Sequence, residues 1–171
     1  VFVIAGEGER QSISSMPGQF RMSVDTLVRD LEPVVDSGVG SILIFGLAEE
    51  ADKDGTGTAA AAHDGAVQRA VRTVRREYPD LVICTDVCLC AYTQHGHCGP
   101  LSSSGDVNND ACLEMLSRVA TSHAEAGADC VAPSAMMDGQ VHAIRATLDE
   151  GGFKDTLLMS YSTKFASAMY G

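Results

Sequence analysis

Four of the six cysteines in this 171-residue chain fall within fifteen residues, at Cys84, Cys88, Cys90 and Cys98, while Cys112 and Cys130 stand apart. Cys88 and Cys90 lie two apart at the exit of an apolar run, so both sulfurs can point the same way from an extended backbone. Seven further residues, including Gly96, let the chain turn back and deliver Cys98. Three soft thiolates with no obvious fourth cysteine in the loop suit zinc with one position left open for water or substrate, the pattern of a catalytic site. The competing reading is a group of reduced thiols that hold nothing. His97 either assists proton transfer, binds the metal or only orients the loop. His95 reads as a loop residue, and Cys112 and Cys130, in a predicted helix and a predicted strand, read as core packing.

Lys164 is the second chemical candidate. The chain has only three lysines, and Lys53 and Lys154 sit in polar, charged loops where solvation is expected. Lys164 lies between Thr163 and Phe165, just past an apolar run. Burial there would disfavour the ammonium and leave an amine able to attack a carbonyl substrate. An exposed loop lysine is the alternative.

Alternating apolar runs and helix-period segments must position these groups. Strands are predicted at Val1 to Ile4, Val39 to Phe45, Leu81 to Thr85, Asp129 to Ala132 and Thr156 to Met159. A polar, glycine-rich loop is predicted between Ile4 and Arg21. Helices are predicted through Val24, Leu27, Val28 and Leu31, through Val67, Ala70, Val71 and Val74, through Met115, Leu116 and Val119, and through Val141, Ile144 and Leu148. Ser23 caps the first, Pro33 should kink or shorten it, and Asn109 or Asp110 caps the third. Strict alternation means a parallel sheet with right-handed crossovers. A dinucleotide-binding sheet is disfavoured, because Gly6 and Gly8 give only G-E-G-E-R-Q followed by more loop. A (β/α)8 TIM barrel gathers the loops after successive strands on one catalytic face, here Asp86 to Cys98, Pro133-Ser134 and Ser160 to Lys164. Such barrels run to ~250 residues, so residues 1–171 are expected to form a single partial catalytic domain with about five of the eight β/α units.

Bulk composition narrows the partners. With 23 acidic and 12 basic side chains the net charge is −11, which repels phosphate backbones and argues against nucleic acid. No apolar run approaches the ~20 residues of a membrane helix, and the opening V-F-V-I has no basic region before it. The expectation is a cytoplasmic protein that handles a small molecule.

The loop D-V-C-L-C-A-Y-T-Q-H-G-H-C-G, Asp86 to Gly99, resembles the zinc loop of the porphobilinogen synthase (δ-aminolevulinic acid dehydratase) family. M-P-G-Q-F-R-M-S (Met16 to Ser23), V-A-P-S-A-M-M-D-G (Val131 to Gly139) and M-S-Y-S-T-K-F-A-S (Met159 to Ser167) resemble its other signatures, in family order. The resemblance implies a homo-octameric (β/α)8 barrel that joins two molecules of 5-aminolevulinate into porphobilinogen in haem biosynthesis. It implies that Cys88, Cys90 and Cys98 hold the catalytic Zn2+, that Lys164 is one of two Schiff-base lysines, and that Asp86 and Ser134 line the site. An allosteric Mg2+ is a further cofactor that the resemblance implies. Ala135 departs from the family pattern P-S-D-M-M-D-G and removes a carboxylate from that face. The expected N-terminal arm, last three strands and second lysine are not in this sequence, so a chain that only binds zinc is the alternative function. A generic lysine aldolase explains Lys164 and leaves the three cysteines unexplained.

Overall fold

The computed structural model describes residues 1–163. Seven strands and four helices follow one another as β1 (Phe2–Val3), β2 (Arg10–Ser12), β3 (Phe20–Met22), α1 (Val24–Asp36), β4 (Ser41–Gly46), α2 (Ala66–Glu77), β5 (Val82–Val87), α3 (Asn109–Ala126), β6 (Cys130–Pro133), α4 (Gln140–Glu150) and β7 (Leu157–Leu158). The strands form one sheet in the order β2-β3-β1-β4-β5-β6-β7. From β1 to β7 every pairing is parallel, and each of β4, β5 and β6 leads through a helix to the next strand. The fold is a mixed α/β sheet that forms part of a (β/α)8 barrel.

Strand burial alternates with the two-residue period of a pleated chain. In β5, Ile83, Thr85 and Val87 are buried, whereas Cys84 and Asp86 are only half-buried. Ile83 joins Ile42, Ile44, Val67, Val71, Val74, Leu27 and Leu31 in a core between the sheet and α1 and α2. Val87 joins Leu116, Val119, Val131, Ile144 and Leu148 in a second core beneath α3 and α4. Asp86 therefore lies on the opposite face of β5, the face that lines the interior of such a barrel. Asp129 ties the base of this region together: its carboxylate accepts the Ile83 N–H at 2.7 Å and pairs with Arg75 of α2.

Several expectations need correction. The predicted loop from Ile4 to Arg21 contains β2 and β3, an antiparallel hairpin whose second strand pairs in parallel with β1. Pro33 lies inside α1 and does not shorten it, because the helix continues to Asp36 and the Ser37 N–H reaches the Pro33 carbonyl at 3.2 Å. The missing Pro33 N–H removes one helical bond, the one to the Arg29 carbonyl, and the three residues after it stay helical. The cap of α3 is Asn108, whose side chain accepts the Ala111 N–H at 3.2 Å, rather than Asn109 or Asp110. Lys53 is half-buried and bonded to Glu50 at 2.8 Å rather than freely solvated. Among the described residues, no helix is long and apolar enough to cross a membrane.

Candidate metal centre

The cysteine loop begins where β5 ends. The Tyr92 and Thr93 N–H groups both return to the Leu89 carbonyl, at 2.9 and 3.0 Å, so the chain coils into one tight turn that brings Cys90 over Cys88. Leu89 is fully buried and anchors that turn in the second core. The Thr93 hydroxyl donates to the His97 carbonyl at 2.7 Å, which brings the chain back and delivers Cys98. The Cys88 thiol then lies 3.4 Å from the sulfur of Cys90 and 3.3 Å from that of Cys98.

These three sulfurs all lie within 4.8 Å of one another and form the one group of metal-capable side chains found among the described residues. Zinc–thiolate bonds of about 2.3 Å at tetrahedral angles separate sulfurs by ~3.8 Å, so a small outward movement would seat the ion. The donor set fits zinc and leaves a fourth position without a protein sulfur. The protonated thiols oppose one another's ionisation. Cys88 is pushed up to about 11, first by its hydrogen bond to Cys90, against a lowering by Cys98, and then by burial. Cys90 gains from its bond with Cys88, but its bond with Cys98, burial and the charges of Cys98 and Asp86 leave it raised. A dication reverses this balance, because a coordinating thiol is deprotonated outright.

A second loop, residues 47–64, supports the first; its Asp, Gly and Ala content marks it as a loop, but its support of the cysteines was not expected. Asp54 pairs with Thr93 in an isolated parallel bridge: the Asp54 N–H reaches the Tyr92 carbonyl at 3.3 Å, and the Gln94 N–H reaches the Asp54 carbonyl at 3.0 Å. The Asp54 carboxylate fixes its own loop by accepting from the Thr58 hydroxyl first and then from the N–H groups of Thr56, Thr58 and Gly57, which together hold its pKa well below the carboxylate range. The sequence D-G-T-G-T (Asp54 to Thr58) is a turn signal that could have marked it. Tyr92 packs over the end of β4, where a Cβ on Gly46 would collide with its hydroxyl. Burial raises the pKa of that hydroxyl, with Asp86 the next cause.

The other expected site residues divide. Asp86 stands opposite Ala132 in the β5–β6 register, two residues before Cys88. Ser134 begins the loop after β6, and its N–H reaches the Val87 carbonyl at 3.1 Å, so both loops leave the sheet side by side. Ala135 is buried. Met136, the next residue, takes a left-handed φ of 62°. The imidazole of His97 is exposed and stands outside the sulfur cluster. His95 bonds the Gly55 carbonyl at 3.2 Å. Lys164 lies outside the described residues.

A sequence model of the delta-aminolevulinic acid dehydratase family matches residues 1–171. The chain belongs to this family. It is 56% identical over 167 residues to the delta-aminolevulinic acid dehydratase of Methanothermobacter thermautotrophicus, a match that covers 96% of this chain and 49% of that protein. It is 48% identical to the enzyme of Halalkalibacterium halodurans, covering 100% of this chain and 51% of the relative. The crystal structure of delta-aminolevulinic acid dehydratase (porphobilinogen synthase) from Toxoplasma gondii, in complex with the reaction product porphobilinogen, superposes with a TM-score of 0.96 at 36% identity, over 100% of this chain and 49% of that one. The chain thus spans about half the length of these family members.

Proposed function

We propose that the protein to which this chain belongs is a zinc-dependent porphobilinogen synthase, which condenses two molecules of 5-aminolevulinate into porphobilinogen with loss of two waters. The observation that carries the reading is the cluster of Cys88, Cys90 and Cys98 at the carboxyl end of β5, in a chain of this family. Active sites of such barrels lie at that end of the strands. Cys88, Cys90 and Cys98 would hold the zinc, which supplies Lewis acidity toward a substrate carbonyl or a bound hydroxide.

The remaining roles belong to the chain's own groups. Lys164 attacks the keto carbon of one aminolevulinate and forms a Schiff base with release of water, so the amine needs to be unprotonated and near the strand ends. Asp86, on the interior face, would hold a proton or orient the substrate amine. Ser134 offers a hydroxyl at the neighbouring strand exit. His97, exposed at the loop tip, is assigned to proton exchange with solvent. A cytoplasmic homo-octamer acting on aminolevulinate, without nucleic-acid or membrane partners, completes the proposal.

Borohydride trapping of the full-length protein with aminolevulinate, with zinc content measured in parallel, tests it. Label on Lys164, and loss of zinc from a Cys88→Ala variant, are the expected results. An unlabelled Lys164 together with unchanged zinc in Cys88→Ala would overturn the assignment.

A further inference from the structure

We propose that Gly99 and Cys112 form a positioning pair that sets where the sulfur of Cys98 stands. This inference rests on the zinc reading of the cysteine loop. Gly99 follows Cys98 directly and is buried. A Cβ built on it would fall inside the sulfur of Cys112 and 3.0 Å from that residue's own Cβ. Gly99 is not among the glycines with positive φ, so glycine is required here for space rather than for backbone conformation. The backbone that carries Cys98 lies directly against a thiol from α3.

That thiol is itself fixed. Cys112 is 0% exposed and sits in the first turn of α3. Its N–H bonds the Asn108 carbonyl at 3.0 Å, and Asn108 in turn gives its own N–H to the Pro100 carbonyl at 2.9 Å. The start of α3 is thereby tied to the residue after Gly99, and Pro100 cannot move away from the start of α3 without breaking the backbone bond from Asn108. On the other flank, the bond from Thr93 to the His97 carbonyl holds the residue before Cys98. Cys112 stands outside the sulfur cluster, and burial raises its pKa, so it acts as a neutral packing surface and not as a fourth ligand. Cys112 thus does for a thiolate ligand what outer contacts do for a ligating histidine: it fixes the ligand's direction before the ion arrives.

The test uses the full-length protein with Gly99→Ala, Cys112→Ala and the double variant. Zinc affinity is read by competition with a chelator. The number of bound thiolates is read from the sulfur-to-metal absorption of the cobalt(II) form, and the melting temperature of the metal-free protein reports folding. Gly99→Ala is expected to weaken zinc binding by about 10- to 100-fold, the usual cost of disturbing an outer contact, with a weakened cobalt–thiolate band. Adding Cys112→Ala makes room for the new methyl and should recover most of that loss, the non-additivity expected of residues in contact and not of distant, independent sites. A double variant that folds but binds no better than Gly99→Ala overturns the proposal, as does a Gly99→Ala variant with wild-type affinity. If Gly99→Ala does not fold, Cys112→Ala alone decides: a several-fold loss of zinc affinity supports the pairing, and an unchanged affinity overturns it. A wild-type protein that binds no zinc overturns the metal reading and this inference together.

Discussion

The loops that leave β5 and β6 start side by side, with the Ser134 N–H on the Val87 carbonyl, and are then held in different ways. The β5 loop is enclosed. Leu89 and Thr93 are buried, Tyr92 lies over Gly46, Cys112 fills the space over Gly99, and the 47–64 loop runs beside it through Asp54. The β6 loop is tied by amide side chains. Asn109 exchanges two bonds with the Asp138 backbone, at 2.9 and 3.1 Å, and Gln140 accepts the Met137 N–H at 3.1 Å. Within it Met136 is half exposed and adopts a left-handed conformation that costs an L-residue about 1–2 kcal/mol. Dense packing suits a loop that keeps three sulfurs together. The β6 loop instead relies on a few polar ties and carries its strain at Met136.

The largest effect expected on this contrast is at the ligands. Cys88→Ala should remove stoichiometric zinc while leaving the sheet intact, measured by metal analysis beside circular dichroism. Next comes acid. His123, buried in α3 with its Nδ1 3.0 Å from the Thr85 hydroxyl of β5, has its pKa lowered to about 4 by burial. The unfolded chain binds this proton near pH 6.5 and the folded one only near 4, so stability is full above 6.5 and falls as pH drops between those values. The loss is on the order of 3 kcal/mol. Chemical denaturation across that range should show the slope in the wild type and a flatter profile in His123→Gln. If both profiles coincide, the buried imidazole is not the source.

Asp54→Ala tests whether the β5 loop depends on its neighbour. Loss of the carboxylate that closes the 47–64 loop should weaken zinc binding by about tenfold, read by chelator competition, with the three cysteines untouched. An unchanged affinity would mean that the loop is self-sufficient. For the β6 loop, Asn109→Ala should cost about 1 kcal/mol, as for a typical pair of hydrogen bonds at partly exposed positions, and should leave zinc affinity alone. The smallest effect is a gain: Met136→Gly relieves the left-handed φ and should raise stability by up to about 1 kcal/mol, the relief being partly offset by glycine's backbone entropy. A destabilised Met136→Gly would show that the side chain contributes more than its strain costs.

The sequence revealed what local periodicity encodes. Parallel strands with intervening helices follow from apolar runs such as Ile42 to Ile44 and Leu81 to Ile83, and the sulfur cluster follows from Cys88, Cys90 and Cys98 lying in one segment. β2 and β3 were not legible, since Arg10, Gln11 and Ser12 are all exposed and carry no alternation; only Pro17-Gly18 marked the turn between them. β5 runs two residues beyond its expected end, because Asp86 is polar yet keeps its place in the ladder opposite Ala132. The supports of the cysteine loop, Asp54 beside Thr93, Tyr92 over Gly46 and Cys112 against Gly99, depend on segments distant in the chain. Spacing within one segment cannot encode them.

Cys88 and Cys98 are only ten residues apart, and this bears on the order in which the molecule assembles. Closing so short a ring takes on the order of 10–100 ns in a flexible chain, whereas the docking of residues 47–64 and of α3 must wait for contacts of much larger sequence separation. The thiols can therefore meet an ion while the rest of the sheet is still forming. The supports that arrive later refine a geometry already sketched, so an ion captured early would act as a nucleus on which the β5 loop is built.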